Sequence, residues 1–355
     1  MAGVDELAAP SERLRRQASH HRGDLYGHLM LAMADDYEAG GPVAAVYRGH
    51  ERAPSGSLLS LRVLAGLFRL VLTGRAQELA RFYPCLGGTA DPAEAWPAVR
   101  EVMAAHVPEL RAALDVPPQT NEVGRSRALL VGVCEAVRRT GRRRVRLFEV
   151  GASAGLNLLV DQIRFETASW SLGPPDSPLV LRDGFEGDFQ PARFDIVSRR
   201  GCDRVPVDVS SPEGRLRLRS FVWPWQVARH QSLTAALELA LRAGSRLRQP
   251  VNVEPADAGA WLERVFDALP EPGDPAEVCV VWHSITRLYW EPAEQARAAA
   301  AIAAARSRRA VVEVAMEYPQ SAPGAPTGWP AELTVDGDRL GTVGDHGIPV
   351  RLDRR

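Results

Sequence analysis

The sequence predicts an α/β protein in which an α-helical segment precedes a mostly parallel β-sheet. Three observations indicate this class. Apolar residues recur at helical spacing through residues 1–118, where no alternating strand pattern occurs. From Val145 onward, short apolar runs rich in β-branched residues alternate with helical segments, which is typical of βαβ units. The first of these runs, 145–150, leads into a turn of small residues at 151–155.

The helical segment is interpreted as an N-terminal cap domain over residues 1–118. Apolar residues share one helical face at 25–37 and another at 58–72. Val-Pro-Pro at 116–118 then predicts a linker, because proline interrupts helices. The remaining residues, 119–355, are expected to form the α/β domain.

The α/β domain is expected to begin with a helix over 122–140, which Gly141 ends in a left-handed conformation. The apolar run 145–150 predicts a buried parallel strand. A helix over 154–162 is expected to follow it. Residues 164–222 are longer than a normal connection and are interpreted as an insertion.

The later elements alternate between strand and helix. Strand-like runs occur at 178–182, 251–254, 278–284 and 310–316, and helical patterns occur at 226–242, 257–269 and 292–306. The last two apolar runs, 331–335 and 347–352, are expected to pair with each other as antiparallel edge strands.

The composition excludes several classes of partner. The chain has 355 residues, 45% of them hydrophobic, a net charge of −1 and no lysine. This balance argues against nucleic acid as a partner, and the basic run 138–144 is interpreted as a solvated helix end. The histidines lack metal-ligand spacing, so no metal is expected. No apolar stretch of about 18 residues predicts a membrane span, and four cysteines without paired spacing predict a reducing, cytoplasmic location.

The most specific feature is the run EVGASAGLN at 149–157, which follows a strand. Small residues let the backbone approach a ligand, and a helix N-terminus would direct N–H groups toward it. The run resembles the first motif of class I S-adenosylmethionine-dependent methyltransferases, acid-x-Gly-x-Gly-x-Gly, with Ser153 in place of the middle glycine. The resemblance implies a Rossmann-like, class I methyltransferase-like domain that binds S-adenosylmethionine.

The resemblance also implies which residues hold this cofactor. Glu149 would hold its methionine part, and Gly151 and Gly155 would make room for it. Ser153 and Asn157 would complete the binding loop. Replacement of Gly155 by valine is then expected to abolish binding while leaving the fold mostly intact.

Two further acidic positions follow from the same resemblance. The family's ribose-binding acid ends the second strand, for which Asp183 is the first choice and Glu166 the second. The acid on the adenine side follows the third strand, where Asp257 fits.

The acceptor side is less defined. The fourth-strand motif is Trp-His-Ser at 282–284, which differs from the Asn-Pro-Pro-Tyr type. His283 is interpreted as a general base or as a hydrogen-bonded core histidine. Asn121 and Arg125 lie at the start of the helix that is expected to precede the first strand. They are interpreted as acceptor-side residues of a lid, and the alternative for Asn121 is a helix cap. The expected function is methyl transfer to a small molecule.

Three other functions fit the sequence. S-adenosylmethionine could undergo cyclisation or aminocarboxypropyl transfer instead, or the domain could bind it without catalysis. The run at 151–155 also satisfies Gly-x-Ser-x-Gly, the nucleophile elbow of α/β-hydrolases. Ser153 would then be the nucleophile, with His346 or His283 as its base.

The chain as a whole is similar to an uncharacterised bacterial family known as a domain of unknown function (2332). The runs that carry this similarity are QTNEVGRS, LFEVGASAGLNL, RRGCD followed by PVD, and VVWHS. The similarity brings no established activity with it.

Overall fold

A computed structural model describes residues 8–21, 23–54, 57–247, 250–271, 273–319 and 330–353, apart from the side chains of residues 245 and 246. The chain forms two compact units. The first comprises Met1–Thr120 and Pro212–Gln231, and the second comprises Asn121–Ser211 and Ser232–Arg355.

The first unit is helical, as the periodicity predicts. Its helices are α1 (Pro10–Ala18), α2 (Leu25–Glu38), α3 (Pro42–Tyr47), α4 (Leu59–Leu72), α5 (Trp96–Ala105), α6 (Val107–Ala113) and, from the second segment, α8 (Pro212–Ser220). The expected helices at 25–37 and 58–72 are confirmed as α2 and α4. Leu29, Met33 and Phe68 are fully buried in the core of this unit, so the apolar faces that predict these helices also hold them together.

The second unit contains two sheets. Its strands are β1 (Arg144–Val150), β2 (Arg164–Glu166), β3 (Ser171–Leu172), β4 (Val180–Arg182), β5 (Phe185–Glu186), β6 (Asp195–Asp203), β7 (Asn252–Pro255), β8 (Glu277–Ser284), β9 (Val311–Glu317), β10 (Ala331–Val335), β11 (Asp338–Val343) and β12 (Val350–Leu352). The nine-stranded sheet has the order β5-β12-β11-β10-β9-β8-β1-β6-β7, and the small sheet has the order β3-β2-β4. From β9 to β7 all neighbouring strands are parallel, so the large sheet is mostly parallel as expected.

Helices cover both faces of the large sheet. They include α7 (Ser126–Thr140), α10 (Ala258–Asp267) and α11 (Pro292–Arg306). The remaining helix, α9, spans Val227–Arg246. On one face, Trp261 and Phe266 of α10 contact the ring of Phe148 edge-on, with ring centroids 6.0 and 5.6 Å away. On the other face, a Cβ atom at Gly132 of α7 would lie 2.1 Å from Val314, so only glycine allows this packing. Gly141 has a φ of 70° and ends α7 as predicted.

The segment that follows β1 differs from the expectation. The predicted α-helix over 154–162 is wrong, since Asn157–Gln162 form a 3₁₀ helix with non-helical angles at Leu159. Three positive φ angles precede it, at residues 151, 153 and 155. Because an α-helix needs consecutive negative φ angles, it cannot begin before residue 156, and β2 begins at residue 164.

The insertion proposed at 164–222 also needs correction, because it contains β6, a strand of the large sheet next to β1. Two arginines in the middle of β6 hide this strand in the sequence. Arg199 is nevertheless buried, since it forms a two-bond ion pair with Asp161 at 2.7 and 3.0 Å. Arg200 pairs with Glu254 at 2.6 Å.

The last strands pair differently from the prediction. The runs at 331–335 and 347–352 are not neighbours, because β11 lies between them. β10 pairs with β9 and β11, and β12 pairs with β11. Within the part of the chain that the structure describes, no helix is long and apolar enough to cross a membrane, and all four cysteines are free thiols.

Candidate functional site

β1 lies where the chain changes direction across the large sheet. From β1 the chain reaches β6 and β7 on one side and then β8 and β9 on the other. In open α/β sheets, ligands bind outside the carboxyl ends of the strands at such a switch point. The motif loop (residues 151–156) leaves β1 at this position. The topology and the sequence motif therefore indicate the same place.

The end of β6 fixes the first half of the motif loop. The N–H groups of Gly151 and Ala152 both donate to the carbonyl oxygen of Cys202, each at 2.9 Å. The N–H of Ser153 donates to Oδ2 of Asp203 at 2.9 Å. These bonds join residues about fifty positions apart in the chain, so local sequence patterns could not reveal them.

Asn121 fixes the second half of the motif loop. Its Oδ1 accepts the N–H groups of Ala154 at 3.1 Å and Leu156 at 3.0 Å. The amide is buried, and its φ of 38° is one that asparagine tolerates better than most residues. The N–H groups of the loop are thus bound within the protein, and the expectation that they point at a ligand is wrong.

The backbone of the motif loop requires its glycines. Gly151, Ser153 and Gly155 have φ angles of 72°, 54° and 72°. A Cβ atom at Gly155 would lie 2.6 Å from Val251 and 2.8 Å from Val253. Replacement of Gly155 by valine is therefore expected to strain the fold itself, and not only to block binding.

Glu149 lies at the end of β1 and is 2% exposed. Nδ2 of Asn157 donates to its Oε1 at 3.4 Å, and the hydroxyl of Ser126 donates to Oδ1 of Asn157 at 2.7 Å. Burial raises the pKa of Glu149 to about 8, against the opposing effect of the Asn157 amide and the Trp282 indole. Oε2 is buried and has no hydrogen-bond partner among the described residues. Burial therefore favours the neutral form of this carboxyl, and one of its oxygens makes no hydrogen bond among the described residues.

Replacement of Glu149 by glutamine is expected to change how stability depends on pH. The pKa of the carboxyl is higher in the folded state than its ordinary value of 4.5. The carboxyl therefore contributes fully to the free energy of unfolding below about pH 4.5, and this contribution is lost as the pH rises through about 8. At about 1.4 kcal/mol per pKa unit, wild type loses a few kcal/mol relative to Glu149→Gln over this range. Urea unfolding at several pH values measures this difference, and a constant difference would contradict the assignment.

Asp203 is the acid at the carboxyl end of the strand beside β1. Asp183 and Glu166 are instead associated with the small sheet, where the N–H of Asp183 donates to the carbonyl oxygen of Glu166 at 2.8 Å. The premise that 178–182 is the second strand of the large sheet is wrong, because these residues form β4. The sequence contained a weak signal for Asp203, a small-residue pair, Gly-Cys, directly before an acid.

Asp257 lies where the sequence places it, after β7 and directly before α10. Its side chain is largely exposed and accepts from Nε of Arg204 at 3.1 Å. A role toward adenine stays a prediction.

His283, at the end of β8, is held by two carboxylates. Its Nδ1 lies 2.7 Å from Oε1 of Glu317, and its Nε2 lies 3.3 Å from Oε1 of Glu313. Glu317 also accepts the N–H groups of Thr286 and Arg287. Both ring nitrogens have carboxylate partners, which favours the charged form of His283 and leaves neither nitrogen without a contact. A role of His283 as a general base stays a prediction.

Arg125 connects loops at the same edge of the sheet. Its Nη1 donates to the carbonyl oxygen of Ser284 at 3.1 Å, and its Nε donates to that of Asp345 at 3.0 Å. The guanidinium thus joins the end of β8 to the segment before β12. This gives Arg125 a positioning role, and its contact with an acceptor stays a prediction.

One feature supports the hypothesis of a serine hydrolase with Ser153 as nucleophile. Ser153 has a positive φ, as the strained turn of a nucleophile elbow requires. His283 does not suit this chemistry, since both of its nitrogens contact carboxylates. His346 is the remaining candidate base, and its Nδ1 lies 3.5 Å from Oε2 of the buried Glu122.

The fold and site define the class of this protein: an α/β protein whose mostly parallel sheet carries a glycine-containing loop and a buried acid at its switch point. A family model described as an uncharacterised protein conserved in bacteria (DUF2332) matches residues 11–351. The chain therefore belongs to this family. No curated protein and no solved structure matches the chain. Within the described ranges, no group of three or more His, Cys, Asp or Glu residues is arranged to hold a metal ion.

Proposed function

We propose that this protein binds S-adenosylmethionine at the carboxyl ends of β1, β6 and β8 and transfers its methyl group to a small molecule. The observation that carries the proposal is the position of the motif loop at the switch point of five parallel strands, with Glu149 ending one strand and Asp203 the next. A motif alone is a weak signal, but here it coincides with the topology that such ligands use.

The partnerless oxygen of Glu149 fits this ligand. Oε2 is buried and makes no hydrogen bond among the described residues, and the ammonium of a methionine moiety would give it one. A cation beside Glu149 would also lower its pKa and favour the ionised form. The bound sulfonium supplies an already activated methyl group. The protein then needs only to align the acceptor and exclude water, with a base only where the acceptor must lose a proton.

Asp203 fits the ribose side of the ligand. Its carboxylate accepts the N–H groups of Ser153 and Val205, both at 2.9 Å, which orients it at the end of β6. In dinucleotide-binding α/β folds, an acid at the end of the neighbouring strand binds ribose hydroxyls.

The first test is thermal unfolding with S-adenosylmethionine and with its demethylated product. Ligand at about 100 times its dissociation constant adds about 2.7 kcal/mol to the free energy of unfolding, which raises the midpoint by a few degrees. Asp203→Asn is expected to weaken binding at least about tenfold. The matched control is Asp195→Asn, at the exposed beginning of the same strand, which is expected to bind normally. The absence of a saturable shift at millimolar ligand would overturn the proposal.

Product analysis separates the alternatives that use the same ligand. Mass spectrometry of turned-over S-adenosylmethionine distinguishes methyl transfer from cyclisation and from aminocarboxypropyl transfer by the fragment that leaves. A fluorophosphonate probe that labels wild type but not Ser153→Ala would instead favour the hydrolase.

A further inference from the structure

The first unit contains a cavity of about 350 Å³ that the proposed function does not use. Residues of α4, α6 and α8 line it, together with the segments that follow these helices. Its volume lies within the range of small-molecule sites, and its walls include the apolar side chains of Leu70, Val116 and Phe221. The cavity can therefore hold an apolar body of modest size.

The charged residues of the cavity leave an excess of positive charge. Its lining has four arginines but only two glutamates: Arg62, Arg69, Arg75, Arg217, Glu109 and Glu213. Arg69 pairs with Glu213 at 2.7 Å, and Arg75 pairs with Glu109. Each glutamate thus already has an arginine partner, and Arg62 pairs with neither of them.

Arg62 carries this argument furthest. Its Nη1 donates to the carbonyl oxygen of Leu114 at 2.7 Å, and its Nε is buried without a hydrogen-bond partner. Among the described residues, no carboxylate forms an ion pair with it. The N–H groups of a guanidinium are arranged to bind a carboxylate through two parallel hydrogen bonds. Arg62 is partly buried and donates only to a neutral carbonyl, so it lacks such a partner.

We propose that this cavity binds a small molecule in which a carboxylate is attached to an apolar body. The carboxylate would bind at Arg62, where it supplies the missing acceptor and neutralises the excess charge. The apolar body would contact the side chains of α4 and α6 and the ring of Phe221. The site is separate from the motif loop in sequence and in unit, so it adds a second binding function to the protein.

Fluorine NMR with para-trifluoromethylbenzoate tests this proposal on the full chain. The benzoate is expected to bind saturably, whereas para-trifluoromethylbenzylamine, with the same body and the opposite charge, is not. Arg62→Gln is expected to weaken benzoate binding at least about tenfold, because a charge-assisted pair is lost. The matched control is Arg111→Gln, which also removes an arginine that donates to a backbone carbonyl but lies outside the cavity.

A second variant tests the location independently of charge. Ala112 lines the cavity and is exposed on α6, so Ala112→Phe can occupy part of the volume without disturbing the core. This variant is expected to unfold at the wild-type midpoint and to lose benzoate binding. Equal binding of the amine, unchanged binding by Arg62→Gln, or no binding of the benzoate to wild type would each overturn the proposal.

Discussion

Replacement of His283 by leucine is expected to lower the free energy of unfolding by about 3–5 kcal/mol near pH 6. The imidazole is 2% exposed and lies between Glu313 and Glu317, with contacts of 3.3 and 2.7 Å. Leucine fills a similar volume but leaves the two carboxylates without the cation that separates them. The loss is large because removing one member of a buried ion pair leaves its partners uncompensated.

The size of this loss depends on pH in a defined direction. Burial acts to lower the pKa of His283, but the hydrogen bonds and charges of Glu313 and Glu317 outweigh it and raise the pKa above 6.5. This contribution to stability is therefore full below about pH 6.5 and is lost as the pH rises through the raised value. The hydrogen bond from His283 lowers the pKa of Glu313 below 4.5. The contribution of Glu313 to the free energy of unfolding is therefore lost as the pH falls through the lowered pKa. Together, the two effects predict that the free energies of unfolding of wild type and His283→Leu differ most between about pH 4.5 and 6.5.

Urea unfolding of wild type and His283→Leu between pH 4 and 9 measures this effect. The matched control is His106→Leu, because His106 contacts the more exposed Glu109 at 3.3 Å in the first unit. Pairs of this kind contribute little, so the control is expected to lose much less stability. If the two variants were equally stable, His283 would not be the buried ion-pair partner described here.

Replacement of Asn121 by alanine is expected to have a similarly large effect, about 3–5 kcal/mol. Its side-chain oxygen accepts two N–H groups of the motif loop, from Ala154 and Leu156, and a buried donor without a partner costs about 1–3 kcal/mol. Alanine also tolerates the positive φ at this position less well than asparagine.

Asn121→Asp distinguishes the lost acceptor from other causes. Aspartate keeps an oxygen that can accept both N–H groups, so it is expected to retain most of the stability. Asn252→Ala, at the exposed beginning of β7, is the control for removal of an asparagine and is expected to change stability by no more than about 0.5 kcal/mol. Equal losses in Asn121→Ala and Asn121→Asp would contradict the assigned role of the oxygen.

Much of the fold could be predicted because it depends on local periodicity. The apolar face of α4, the left-handed stop at Gly141 and the buried runs of β1 and β8 each lie within one short segment. The motif that marks the site is local for the same reason. A pattern fails where one residue type interrupts it, as the two arginines do in β6.

The sequence by itself determined the α/β class, most of the elements of the parallel sheet and the position of the motif loop. The tertiary structure alone decided which strands are neighbours, and hence that Asp203 rather than Asp183 ends the strand beside β1. It also decided that Asn121 holds the motif loop and that His283 lies between two carboxylates. The physical reason is that these contacts join residues about thirty to fifty positions apart, so they depend on the path of the chain through space and not on the spacing of residues within a segment.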